Sequence, residues 1–228
     1  QRAYVRGTAF APQLTDGDVS EYLAQLEMLS KGYREESEIW PVNIPEFDTV
    51  AVHSRPIAPE TFKLVLAAIR QRQCLKARYV SLSSGSEGFR AILPHALASD
   101  GHRWHMRAFD FDNQRYSDFV LSRLEAKGFA DTPSGDLPRD VDWTSTIQLV
   151  LTADPAMPEP RRERLESEYR MRKGALRVKI RQAMLFYYLR FYGFNPHDLE
   201  GGAMRNVSSF HLKVANMEEV EKWLGRRN

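Results

Sequence analysis

A chain of 228 residues, 43% hydrophobic and 27% charged, has the composition of a soluble globular protein, with length for one large domain or two small ones. Its net charge of +2 does not mark it as a bulk nucleic-acid binder, so any basic site has to be local. One cysteine, Cys74, excludes an internal disulfide and suits a cytoplasmic setting, and no run reaches membrane-span length or reads as a signal peptide.

The chain begins at Gln1 rather than Met, the start expected of a fragment or the ordered part of a longer protein. Residues 1–16 show no period. Asp16 or Asp18 is placed to cap a helix with apolar positions at Val19, Tyr22, Leu23, Leu26 and Leu29. Residues 31–58 hold three prolines and one short strand pattern at 49–53, so residues 1–58 read as a helical linker. Pro59 suits the first turn of a second helix, whose apolar face is Phe62, Val65, Leu66 and Ile69. Cys74 follows that pattern and reads as a buried, inert thiol.

The period then changes. Runs 75–82, 89–93, 103–109 and 118–124 are short and rich in aromatic and branched residues, separated by turn residues at 83–86, 99–101 and 110–114. Such a succession predicts a small, strongly bent sheet or barrel. Residues 128–142, rich in Pro, Gly and Asp, form the domain boundary. Beyond it, strand patterns at 146–151, 175–180 and 208–214 alternate with helix patterns that start near Pro160 and at Met184 and Met217. The expected class is α+β, with helices covering one face of a sheet.

Candidate site residues cluster in the strand-rich stretch. Alternation sends Trp104 and Met106 to one face of a strand, His105 and Arg107 to the other. Arg90 opens a run that ends at Pro94, which stops the ladder and leaves His95 at a strand end. Arg123 shares the parity of Phe119 and Leu121, so exposing it requires a bend. Tyr79 and Ser81 share parity and offer hydroxyls. A small barrel would gather Tyr79, Ser81, Arg90, His95, Arg107 and Arg123 around one concavity, with His105 on the face of Arg107. Guanidiniums, hydroxyls and imidazole without carboxylates suit an anionic ligand such as a phosphate, and His95 would make binding pH-sensitive near neutrality.

The sequence shows no Gly-rich phosphate loop, metal-spaced His/Cys cluster or nucleophile elbow, and a Ser81–His95 pair lacks an orienting third member. No catalytic residue, metal or cofactor is assigned. Arg161, Arg162, Arg164, Arg170, Arg172 and Lys173 sit around one helix, but Glu163, Glu166 and Glu168 among them favour a solvated face over a nucleic-acid surface. The run 186–192 puts rings on every side of another helix, and the surplus suits a dimer contact.

The pattern Tyr79-x-Ser81, Arg90, Pro94-His95, Gly101-x-Arg103-Trp104-His105-Met106-Arg107 and Asp118-Phe119-x-Leu121-Ser122-Arg123 resembles a WYL domain. The family's name motif falls on Trp104, His105 and Met106, departing at its second and third positions while keeping an aromatic ring and then an apolar side chain. The resemblance covers residues 60–127. It implies an Sm-like β-barrel over 59–128, a linker at 129–144 and, over 145–228, a ferredoxin-like α+β dimerisation domain of the kind called WCX. The layout is similar to WYL repressors of bacterial phage-defence operons, which act as homodimers and bind operator DNA through a preceding winged helix-turn-helix. Residues 1–12 resemble the tail of such a winged domain. The function implied is the ligand-sensing and dimerisation part of a transcriptional regulator, with a nucleotide or nucleic-acid effector in the WYL pocket, not an enzyme and not a membrane partner. The alternative is a module that grips single-stranded nucleic acid without sequence preference.

Overall fold

The computed structural model describes residues 19–38, 44–49, 55–80, 87–131, 136–195, 206 and 208–225. The chain divides into two compact units, residues 1–54 and 55–228. In the first, α1 (Val19–Ser30) buries Leu26, and the Thr49 hydroxyl donates to Ser30 Oγ at 2.9 Å. The expected cap at Asp16 or Asp18 lies outside the described residues, as does the strand at 49–53 except for Thr49.

The second unit opens with α2 (Pro59–Gln71), which starts on a proline and closes with Arg72 in the left-handed region at φ 53°. Five strands follow: β1 (Cys74–Val80), β2 (Glu87–Ser99), β3 (Trp104–Asp110), β4 (Arg115–Val120) and β5 (Leu124–Ala130). They form one antiparallel sheet in the order β4-β3-β2-β1-β5. Strands β4 and β5 are the two edges of that order, yet only the 3-10 turn Leu121–Arg123 separates them. Flat, five strands would hold the edges roughly 19 Å apart, while the chain from residue 120 to 124 spans at most about 14 Å. The sheet therefore has to curl toward closure, and the Tyr79 hydroxyl accepts from Val120 N at 3.3 Å within the curl.

The inner face packs against α2. Val65 and Ala68 meet Leu75, Ala77, Ile92, Met106, Ala108 and Phe119, all buried. Each large side chain so buried contributes on the order of 2 kcal/mol. Cys74, on the other parity of β1, is also fully buried, and burial pushes its thiol up and leaves it unreactive.

Two features depart from the expected pattern. β2 does not stop at Pro94: it continues to Ser99, and the register with β3 slips between Pro94 and Ala96. The bulge absorbs the missing N–H and leaves His95 unpaired within the strand rather than at its end. Residues 124–130, split at the sequence level between a strand end and a linker, form β5. Its pairing with β1 slips between Lys76 and Ala77, and Ala126 N donates to Thr61 Oγ1 of α2 at 3.2 Å. The slip breaks the strand period, so residues 124–130 give no continuous hydrophobic alternation to read.

After α3 (Val141–Thr144) comes a three-stranded antiparallel sheet of β6 (Thr146–Ala153), β7 (Leu176–Arg181) and β8 (Leu212–Val214), in the order β7-β6-β8. The helices α4 (Glu159–Glu168), α5 (Leu185–Phe191) and α6 (Met217–Leu224) alternate with them. Ile147, Leu149 and Leu151 of β6 join Ile180, Leu189, Leu212 and Val220 in a second core. Gly193, at φ 78°, turns the chain out of α5, and a Cβ there would run into Ser209 Oγ and the Phe210 ring. This is the expected α+β layout, with three strands among the described residues.

Candidate functional site

β3 is buried on both faces. Met106 and Ala108 point into the core with α2, while His105, Arg107 and Phe109 take the opposite face, as alternation requires. That second face is covered by the chain itself.

Arg107 is its centre. The side chain is 2% exposed, and its guanidinium lies across carboxylates from two elements. Nε donates to Asp140 Oδ2 at 2.8 Å and Nη2 to Asp140 Oδ1 at 3.0 Å, the two-pronged geometry for which the guanidinium fork is shaped. Nη1 donates to Asp118 Oδ1 at 3.1 Å, and Asp142 lies 3.8 Å from Nη2. The register puts Asp118 directly opposite Arg107. Asp140 and Asp142 come from residues that the sequence assigns to a linker. Burial disfavours the charge on Arg107, but the bonds to Asp140 and the charges of Asp118 and Asp140 outweigh it and hold the guanidinium firmly protonated.

Asp140 does three things at once. Its side chain accepts from Trp143 N and caps α3, it receives the Arg107 fork, and its Oδ2 lies 2.9 Å from His95 Nε2. Burial would raise its pKa, but the bonds from His95 and Arg107 hold the carboxyl well below the usual range. The bulge at Pro94 is what lets His95 reach it, and the imidazole stands edge-on to Tyr116 and Trp143 at 5.4 and 5.8 Å.

His105 is tied into the same network. Its Nε2 lies 3.2 Å from Asp100 Oδ2, and its Nδ1 is 3.4 Å from the hydroxyl of Tyr187 on α5. Tyr187 donates to Asp118 Oδ2 at 3.1 Å, which links His105 to the Arg107 cluster. Asp100 also organises the β2–β3 turn, accepting from the backbone N–H groups of His102 and Arg103. Burial alone would raise its pKa, but the bonds from His102, His105 and Arg103 outweigh that and bring the pKa from 3.8 to about 2.

Of the seven predicted residues, then, the structure brings His95, Arg107 and His105 into one network. Arg90 pairs with Asp110 at 3.1 Å near the β3–β4 turn. Tyr79 stands in the core with α2, edge-on to Phe119 at 4.9 Å. Arg123 is half-buried in the 3-10 turn that supplies the bend its parity required. Ser81 lies outside the described residues. The expectation of cations without carboxylates is corrected: Asp100, Asp110, Asp118 and Asp140 hold His105, Arg90, Arg107 and His95. They were missed because three of them sit in turn or linker sequence, where the same carboxylate that accepts backbone N–H groups also takes a cation. Asp118 alone was legible, because folding β3 and β4 about residues 110–114 puts it opposite Arg107.

Among the described residues no group of three or more His, Cys, Asp and Glu is arranged for a metal ion, and no buried side-chain N or O lacks a partner. Beside Asp100 lies an open, mostly apolar groove of about 260 Å³, lined by Ser99, Gly101, Met184, Tyr187, Tyr188 and Phe191. It joins the β2–β3 turn to α5.

The bent five-stranded sheet is thus tied, through Arg107–Asp140 and Tyr187–Asp118, to the α+β layer that follows it. Residues 60–127 match the WYL domain, and residues 146–220 match the BrxR transcriptional regulator C-terminal dimerization domain. The chain is 32% identical over 227 residues to a DNA-binding transcriptional repressor CapW of Stenotrophomonas maltophilia, covering 98% of this chain and 74% of that protein. It is 29% identical over 158 residues to a CapW repressor of Pseudomonas aeruginosa, 69% of this chain and 52% of the relative. An Escherichia coli CapW repressor is 32% identical over 166 residues, 73% of this chain and 54% of the relative. This chain belongs to the WYL-domain transcriptional regulators related to CapW. Among solved structures, the proteasome accessory factor B/C of Arthrobacter aurescens aligns with 90% of this chain and 32% of its own, at 21% identity and a TM-score of 0.34.

Proposed function

We propose that this chain is the ligand-sensing and dimerisation part of a DNA-binding transcriptional repressor of the phage-defence type, and that its effector is an anionic nucleotide or nucleic-acid fragment. The observation that carries this is the Arg107 fork, buried and filled by the carboxylate of Asp140. A carboxylate held in two-pronged fashion by an arginine stands where a phosphate would be held. In this reading Asp140 is a built-in competitor, and the effector phosphate displaces it.

Displacement has a mechanical consequence. Asp140 caps α3, which leads into β6 of the domain that matches a dimerisation module. Freeing the carboxylate uncaps the helix and loosens that domain from the WYL sheet, shifting two protomers relative to one another and so the operator-binding heads. The shift requires an effector that prefers the opened arrangement, since equal affinity for both changes nothing. His95, bonded to Asp140, would hold a remaining phosphate oxygen, and His105 joins the site through Tyr187 and Asp118, while Tyr79, Arg90 and Arg123 are left to structural roles. The relatives are named as repressors, not enzymes, and the proposed chemistry is binding alone.

The test is calorimetric titration with pyrophosphate, linear and cyclic nucleotides and short 5′-phosphorylated DNA. Binding that is lost in both Arg107→Ala and Arg107→Lys supports the reading, because lysine keeps the charge and loses the fork. Binding that survives both places the site elsewhere.

A further inference from the structure

We propose that the outward face of the C-terminal sheet is a contact surface for the sugar-phosphate backbone of DNA, without sequence preference. This surface is separate from the Arg107 site. Residues 170–181 (RMRKGALRVKIR) contain six cations and no acid, in a chain of net charge +2, so the remainder is net negative. All six, Arg170, Arg172, Lys173, Arg177, Lys179 and Arg181, are exposed.

The sequence groups the first three with Arg161, Arg162 and Arg164 as one helical face; the structure separates them. α4 lies on the core side through Leu165, and Arg162 pairs with Glu159 at 3.3 Å and with Glu166 at 3.9 Å. The others leave the helix: Arg170 and Lys173 take left-handed turns at φ 48° and 52°, and the chain enters β7. There Val178 and Ile180 face the core, which turns Arg177, Lys179 and Arg181 outward on alternate residues of an edge strand. Their Cα atoms are roughly 6.5 Å apart.

The neighbouring outward positions add no negative charge. Register puts Val150, Gln148 and Thr146 of β6 beside Arg177, Lys179 and Arg181. Lys213 of β8 is also cationic and pairs with Asp154, just beyond β6. Arg181 lies over the Trp143 ring at 4.9 Å and donates to Trp143 O at 2.7 Å, so one end of the stripe carries an aromatic surface. Arg177 donates to Arg172 O at 3.2 Å, which braces the turn against the strand.

Charge decides the occupant. A two-fold contact of this face with its own copy sets cations against cations. Rows of guanidinium forks with hydroxyl and amide groups beside them match phosphate oxygens. Nothing on the face reads base edges, so the contact is with the backbone and adds to whatever grips the operator by sequence.

The experiment is fluorescence anisotropy of the full chain with a labelled random-sequence duplex across a salt series, for wild type, Arg177→Glu/Lys179→Glu and the milder Arg177→Gln/Lys179→Gln. The proposal expects wild-type binding that weakens with salt. Removing two phosphate contacts should lower the log–log salt slope by about 2 and weaken binding at least tenfold. Arg161→Glu/Arg164→Glu on α4, which lies apart from the Arg107 site and off the β7 stripe, should change affinity less than twofold. Absence of duplex binding at low salt overturns the proposal, as does binding unaffected by either β7 variant. So does a β7 variant that loses self-association in sedimentation, which would make the face a contact between copies.

Discussion

Arg107 is 2% exposed, and its partners Asp118 and Asp140 are nearly as deeply buried. Truncation to alanine leaves two carboxylates in a poorly hydrated seam without their cation. Such orphaned charges typically cost about 3–5 kcal/mol, and chemical denaturation of Arg107→Ala should show a loss of that order; a change within 1 kcal/mol would mean that water reaches the seam freely. Asp140→Asn is the gentler probe, because asparagine caps a helix as well as aspartate does and only the charge is removed. At Gly193 the argument is steric. Alanine there combines φ 78° with a Cβ pressed against Ser209 and Phe210, and should lower stability by roughly 1–3 kcal/mol. An unchanged unfolding midpoint would contradict it.

At the scale of elements, the loops around the site are held by aspartates that serve a turn and a cation together, and this makes the seam acid-sensitive. Asp100 and Asp140 both titrate below their ordinary value in the folded protein. Their contribution is therefore complete above about pH 5 and is lost as pH falls through the folded values, about 2 for Asp100. For Asp100 that contribution is on the order of 2 kcal/mol. The unfolding free energy should fall between about pH 5 and pH 2, and Asp100→Asn should flatten that limb; an identical limb in the variant would remove Asp100 from the account. Legibility follows the same physics. α2 and β3 were readable because their apolar residues recur at the helical and strand periods. β5 was not, since its register with β1 slips between Lys76 and Ala77 and breaks the strand period. His95 was misplaced at a strand end because proline also permits a bulge. The aspartates read as turns, and turn chemistry hides a long-range partner: Arg107 and Asp140 are 33 residues apart.

For the whole molecule, the seam makes the sheet and the C-terminal domain mechanically continuous, through Arg107–Asp140 near α3 and Tyr187–Asp118 from α5. Family membership was legible from the spacing of Pro94-His95, Trp104, Arg107 and Asp118–Arg123, although two positions of the name motif differ. Exposed Phe191 and the apolar groove beside it fit the expected self-association, and sedimentation of Phe191→Glu should shift the chain toward monomer if α5 carries it; an unchanged sedimentation coefficient would move the contact off α5. The account rests most heavily on Asp140 occupying the place of an effector phosphate. The direct measurement is titration of wild type, Asp140→Asn and Arg107→Lys with pyrophosphate, nucleotides and short 5′-phosphorylated DNA. The account predicts at least tenfold tighter binding once the competing charge at Asp140 is gone and none once the fork is gone. Equal affinity in all three proteins, or no binding by any of them, would contradict it.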